Sequence, residues 1–277
     1  MTRILAIHGV RNYRNGDLPV HGNQRIAATW SAALTPHLRD RDINVQTAYY
    51  ADLLRSETQS SELRGEDSTE QDLLDQLIAD WAAAWQIDTS GDQGPLTLPL
   101  RILFGKIAER AGNNTDPGLV ARAARRFFPE VARYLGYSHD GRPHRHTVRT
   151  RVAQALTAQQ PDIVIAHSLG TVVAYETLHA YPDHQIPLLI TLGSPLALPG
   201  AVFPRLNPAP VNNTGHRPPG VKRWIDLADT GDVIAVPRGG VPRSFTGVDE
   251  HHEITIGPLA LHDVTKYLAH PQLISYL

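Results

Sequence analysis

The sequence predicts an α/β fold: a mainly parallel sheet with helices on both faces and a helical cap inserted over a site. Three observations predict it. Short apolar runs alternate with segments of helical spacing over most of the 277 residues, as in a chain of β-α units. The runs Ile4 to Ile7 and Ile163 to Ala166 are continuously apolar, which suits strands buried on both faces. Residues 88–146 break the alternation and are read as the cap, leaving residues 1–87 and 147–277 as the core.

The elements follow in order. Ile4 to Ile7 is the first strand, and the polar stretch 9–22 after it is a loop. Ile26, Ala27, Trp30, Ala33, Leu34 and Leu38 fall three and four apart, one face of a helix. Ile43 to Tyr50 is a second strand, and the charged, Ser-rich stretch 55–69 a solvated loop. Leu73, Leu74, Leu77, Ile78, Trp81, Ala84 and Trp85 make an amphipathic helix. In the cap, Leu96 to Phe104 is apolar but contains Pro99, and Asn113 to Gly118 breaks the chain. Leu119 to Leu135 is helical, with Arg122, Arg125 and Arg126 along one side and an interruption at Pro129. Helix resumes from Thr147, a strand runs from Asp162 to Ala166, and Thr171 to Ala180 is helical. Pro187 to Leu192 and Val221 to Ala228 are strands, separated by a Pro-rich irregular loop over 199–220. A short strand at Glu253 to Ile256 and closing helix over Leu261 to Leu277 end the chain.

Composition excludes several classes. With 26 Lys and Arg against 28 Asp and Glu, the formal net charge is −2, so neither a nucleic-acid partner nor an anionic membrane surface is expected. Cysteine is absent, which removes disulfides, thiol catalysis and zinc–thiolate sites. No stretch approaches the roughly 20 apolar residues of a membrane span, and the N-terminus lacks a signal-peptide core, so a cytoplasmic protein without a membrane span is expected. No cofactor is expected, since no GxxxxGK[ST] sequence occurs. No metal is expected either: His139, Asp140, His144 and His146 lie among Arg142, Arg145, Arg149 and Arg151, which would repel a cation, and read as a solvated loop.

One constellation carries chemistry. The stretch IVIAHSLGTVVAYE places Ser168 between an apolar strand and an amphipathic helix. A nucleophile there sits on a sharp strand-to-helix turn, and the residues two before and two after it must be small because two backbones cross closely. Ala166 and Gly170 are small. The backbone N–H of Leu169, at the helix start, is one candidate oxyanion donor. Val10, after the His8-Gly9 turn that ends the first strand, is the other. His8 itself is read as a brace for that loop. Asp232, in the turn DTGDVI, is the preferred acid, and Asp229, read as bracing the turn through its amides, is the alternative. Of His251, His252 and His262, the last sits where a base after the final strand is needed; the adjacent pair reads as a solvated lead-in to a strand.

The stretches IHGV, IAHSLG, ITLGSPL, DTGDVIAVP and LHDVTKYL resemble the α/β-hydrolase superfamily, and within it small bacterial serine esterases and lipases. The resemblance covers residues 1–50 and about 147–277. It implies the α/β-hydrolase fold, here without the usual first two strands. It also implies a catalytic triad of Ser168, His262 and Asp232, an oxyanion hole from Val10 and Leu169, and a structural Ser194. An Ala-x-Ser-x-Gly elbow is known in bacterial lipases of that superfamily. The activity expected is hydrolysis of a carboxylic ester or thioester through an acyl-enzyme, on a small-molecule acyl or ester substrate, apolar in character. Two alternatives remain: an acyltransferase, cyclase or thioesterase of a biosynthetic pathway with the same triad, and a non-catalytic binding protein on the same fold.

Overall fold

A computed structural model describes residues 1–38, 41–55, 68–87, 100–111, 116–136, 143–257 and 262–277. Six strands form one sheet: β1 (Thr2–Ile7), β2 (Ile43–Thr47), β3 (Ile163–His167), β4 (Ile186–Leu192), β6 (Val221–Asp229) and β8 (Glu250–Ile254). Their spatial order is β2-β1-β3-β4-β6-β8, and every pairing is parallel. Two further strands, β5 (Gly215–His216) and β7 (Phe245–Thr246), pair only with each other. The sheet is wound in both directions from β1: the chain first adds β2 on one side, then β3 on the other. Ligands of such sheets bind where the winding direction reverses, at the carboxyl ends of the strands. Here that point lies between β1 and β3.

Two layers of helix cover the sheet. Because side chains alternate along a strand, Leu5, Ile7 and Val164 face one way, and Ile4, Ala6, Ile163 and Ile165 the other. The second set packs with α1 (Pro19–Leu34), α8 (Val264–Leu268) and α9 (Pro271–Ile274) through Ile26, Trp30, Leu34, Tyr267 and Leu273. The first set belongs to a larger cluster with α2 (Ser68–Ala84), α3 (Leu100–Ala111), α4 (Pro117–Leu135), α5 (His144–Gln159) and α6 (Leu169–Ala180). A short α7 (Gly240–Ser244) precedes β7.

The helices of 100–135 share that core. Trp81 of α2 lies 5.1 Å from Phe128 and 6.5 Å from Phe104, ring centre to ring centre. Trp81 also donates from Nε1 to the Val233 carbonyl at 2.8 Å, next to Asp232. The α4 helix starts with Asp116 accepting from Gly118 N–H and Pro117 in the first turn, both favoured there. It runs through Pro129 rather than stopping. Phe127, Phe128, Val131 and Ala132 are buried on either side, and that packing outweighs the proline's lost hydrogen bond.

Other expectations need correction. The α5 helix begins at His144, not Thr147, so the solvated-loop reading fails for residues 144–151. Arg145 donates to Glu176 and to the Arg205 carbonyl, and Arg151 pairs with Asp52 at 2.6 Å. Glu176, buried on α6, also accepts from Tyr134 of α4 at 2.7 Å and from the Asn207 N–H, tying α4, α5 and the Pro-rich loop to the helix after Ser168. The last strand is Glu250–Ile254, so His251 and His252 lie within it rather than before it. The expectations for residues 56–67, 96–99, 113–115, His139, Asp140, Arg142 and Leu261 lie outside the described residues. Among the described residues no helix is long and apolar enough to cross a membrane.

Candidate functional site

Ser168 follows the last residue of β3 and caps α6 with φ 56° and ψ −131°. A non-glycine residue there costs about 1–3 kcal/mol and persists only where its surroundings enforce it. They do so from several sides. The Ser168 N–H donates to the Leu192 carbonyl at 3.0 Å, and its own carbonyl accepts from Thr171 N–H and hydroxyl. The Thr171 hydroxyl also meets Ser194 Oγ at 2.9 Å, so Ser194 serves the turn rather than the cavity. A methyl group on Gly170 would overlap the carbonyl oxygens of Ile7 and His8, and one on Gly9 would lie 2.8 Å from Ser168 Cβ. Ala166 is fully buried.

A cavity of about 750 Å³ opens at the carboxyl ends of β1 and β3, lined by residues 8–12, Trp30, His167, Ser168, residues 262–264 and one face of α4. Its volume falls within the range typical of small-molecule sites. Ser168 Oγ and His262 Nε2 are both buried and have no hydrogen-bond partner. They share the cavity without bonding to each other, a gap that often closes only when substrate arrives.

His262 Nδ1 lies 2.6 Å from Asp232 Oδ2. Asp232 Oδ2 also accepts from the Tyr267 hydroxyl at 2.9 Å, and Oδ1 accepts from the N–H groups of Ile234 and Ala235. The carboxylate is therefore held at both oxygens, and its contact places the proton on His262 Nδ1 and the free lone pair on Nε2. Gly193 lets this pair sit close: it has φ 54°, and a Cβ there would lie 2.8 Å from Asp232 Oδ2 and 3.0 Å from His262 Cε1. Asp229 is occupied elsewhere, accepting from Gly231 and Ile256 N–H. Burial pushes its carboxyl above the usual range, with the charge of Asp232 adding to the effect.

The other histidines separate cleanly. His251 pairs with Asp226 at 2.8 Å, and Asp226 accepts from Thr191. His252 meets the Tyr276 hydroxyl. Both have partners, which corrects their reading as a solvated pair, and neither lines the cavity. His8 is buried against Tyr50, with rings 4.1 Å apart. Its Nε2 accepts from Tyr50 N–H and its Nδ1 donates to the Gly9 carbonyl. Burial lowers its pKa to about 4, so it is neutral and braces the loop.

That loop is fixed peptide by peptide. Asn12 Nδ2 donates to the carbonyls of Gly9 and Val10, and Arg11 N–H donates to Glu130 Oε1 of α4 at 2.7 Å. Since a trans peptide is planar, holding the Gly9 carbonyl turns the Val10 N–H to the opposite side. The Leu169 N–H, at the first position of α6, has no intrahelical acceptor. Neither amide has an acceptor among the described residues.

Three contributors were not singled out in the sequence. Tyr267 bridges Asp232 and the Asp229 N–H. Asn12 holds the loop. His167 lines the cavity with its ring 4.7 Å from that of His262, and burial together with His262 lowers its pKa well below the usual value. Tyr267 lies one helical turn into α8, and no sequence spacing marks it.

The buried imidazoles predict a pH effect on stability. His8 titrates near 6.5 when unfolded and near 4 when folded. Between those values the unfolded chain binds more protons, so stability is present above pH 6.5 and is lost as pH falls towards 4, by about 3 kcal/mol. Glu130, pushed up to about 7 by burial, acts in the opposite sense below pH 7. The difference between wild type and His8→Gln isolates the histidine. In urea titrations it should shift by about 3 kcal/mol against wild type between pH 7 and pH 4, and a constant difference would contradict the assignment.

No family model, curated protein or solved structure matches this chain.

Proposed function

We propose that the protein is a serine hydrolase of carboxylic esters or thioesters. The observation that carries this reading is one cavity lined by Val10, a strained Ser168 and a His262 paired with Asp232, beside Val10 and Leu169 N–H groups that have no acceptor among the described residues. In this mechanism Ser168 Oγ attacks the ester carbonyl carbon while its proton passes to His262 Nε2. Asp232 stabilises the resulting imidazolium, and the Val10 and Leu169 N–H groups receive the oxyanion. Collapse of the tetrahedral species expels the alcohol or thiol, which takes the proton from His262. Water, deprotonated by His262, then attacks the acyl-enzyme and releases the acid and Ser168. The helices over 100–135 act as the wall of the pocket, with α4 supplying its lining.

A fluorophosphonate probe tests the reading. Wild type should be labelled at Ser168 and Ser168→Ala should not. Equal labelling of the two, or none of either, would overturn it.

A further inference from the structure

The α4 face on the cavity consists of Leu119, Arg122, Ala123, Arg126 and Phe127. Leu119, Ala123 and Phe127 continue the apolar wall made by Trp30 and Val264. Arg122 and Arg126 are exposed, one turn apart, and neither has an acidic partner among the described residues. Two like charges at this spacing weaken a helix. Arg11, also exposed, adds a third guanidinium from the loop after β1, where its own N–H is bonded to Glu130 of α4. The only carboxylate lining the cavity among the described residues is Asp263, whose Oδ1 accepts from the N–H and hydroxyl of Thr265. His8 and His167, the imidazoles deeper in the cavity, are buried. The cavity is thus lined by imidazoles and apolar side chains, with exposed guanidinium groups at its mouth.

We propose that this mouth selects esters carrying an anionic oxyacid group, a carboxylate or phosphate, a few bonds from the scissile carbonyl. The apolar wall holds the intervening chain, while Arg122 and Arg126 grip the anion with the forked donor geometry that suits such groups. This adds an anionic group to the expected apolar acyl or ester substrate. It rests on the serine-hydrolase reading, which makes Ser168 the reacting end of the cavity.

The test compares matched pairs. Mono-4-nitrophenyl glutarate is set against 4-nitrophenyl valerate, and 1-butyrylglycerol 3-phosphate against 1-butyrylglycerol. In kcat/KM the anionic member of at least one pair should be preferred about tenfold or more, the pair identifying carboxylate or phosphate. The preference should fall towards unity in Arg122→Gln/Arg126→Gln, persist in part in Arg122→Lys/Arg126→Lys, and shrink in 0.5 M salt. Binding of the same glutarate and valerate esters to Ser168→Ala, by calorimetry, reads the selection without turnover. A tighter glutarate complex there supports the proposal even if the hydrolase reading fails. Equal treatment of both members in both pairs and in the binding measurement overturns it, as does a preference that survives the Gln variants.

Discussion

Asp232→Asn is expected to lower turnover of an ester substrate by about ten-thousand-fold, near 5 kcal/mol of barrier, while leaving the chain folded. Asn is isosteric with Asp, and its carbonyl still accepts from the N–H groups of Ile234 and Ala235, as Asp232 Oδ1 does. Its amide nitrogen then faces His262 Nδ1, where the carboxylate oxygen lies at 2.6 Å. Two donors cannot meet, so His262 shifts its proton to Nε2 and loses the lone pair that Ser168 needs. Asp229→Ala should behave in the opposite way. It removes acceptors from Gly231 and Ile256 N–H, at about 1–3 kcal/mol of stability, with a much smaller change in rate. Steady-state kinetics paired with urea titration separates the two carboxylates. A rate loss in Asp229→Ala as large as in Asp232→Asn would remove Asp232 from the acid role.

Gly170→Ala is expected to be the most destabilising single methyl in the site. The added Cβ would overlap the Ile7 and His8 carbonyl oxygens and stand 2.9 Å from the Ile7 carbonyl carbon. All three are backbone atoms where β1 ends, Ile7 paired with Ala166 of β3 and the His8 carbonyl accepting from the Tyr50 hydroxyl, so they have little room to retreat. A loss of about 3 kcal/mol or more follows, a large share of a typical domain's 5–15 kcal/mol. Gly105, where a Cβ meets nothing within 4 Å, is the control: Gly105→Ala should hold or raise the unfolding midpoint. If Gly170→Ala melts with wild type, the close crossing of β1 and α6 is wrong.

Much of this arrangement was legible because it is local. β1, β3 and β4 are short apolar runs, and the small–x–Ser–x–Gly pattern states the crossing that Gly170 makes. The order of Ser168, Asp232 and His262 along the chain was legible for the same reason: each follows a strand. What escaped depends on distant partners. His251 looked solvated because nothing near it in sequence names Asp226 on the neighbouring strand. Nothing in the sequence marks Glu176, although it gathers Tyr134, Arg145 and Asn207. Arg122 and Arg126 are visible as a stripe with Arg125, but only the packing of α4 against α2, α3 and α5 puts these two on the cavity that holds Ser168.

The place of β1 between β2 and β3 bears on how the chain is made. It leaves the ribosome before the other five strands of its sheet, yet one of its neighbours is β3, whose approach Arg3 and Asp162 mark from 159 residues apart. At 5–20 residues per second that edge of β1 waits on the order of ten seconds for its neighbour. Throughout that interval a flat apolar segment has one edge unpaired, the condition under which nascent chains stick to one another. Growth temperature and chaperone supply should therefore govern the yield of soluble protein more strongly than the stability of the finished fold does.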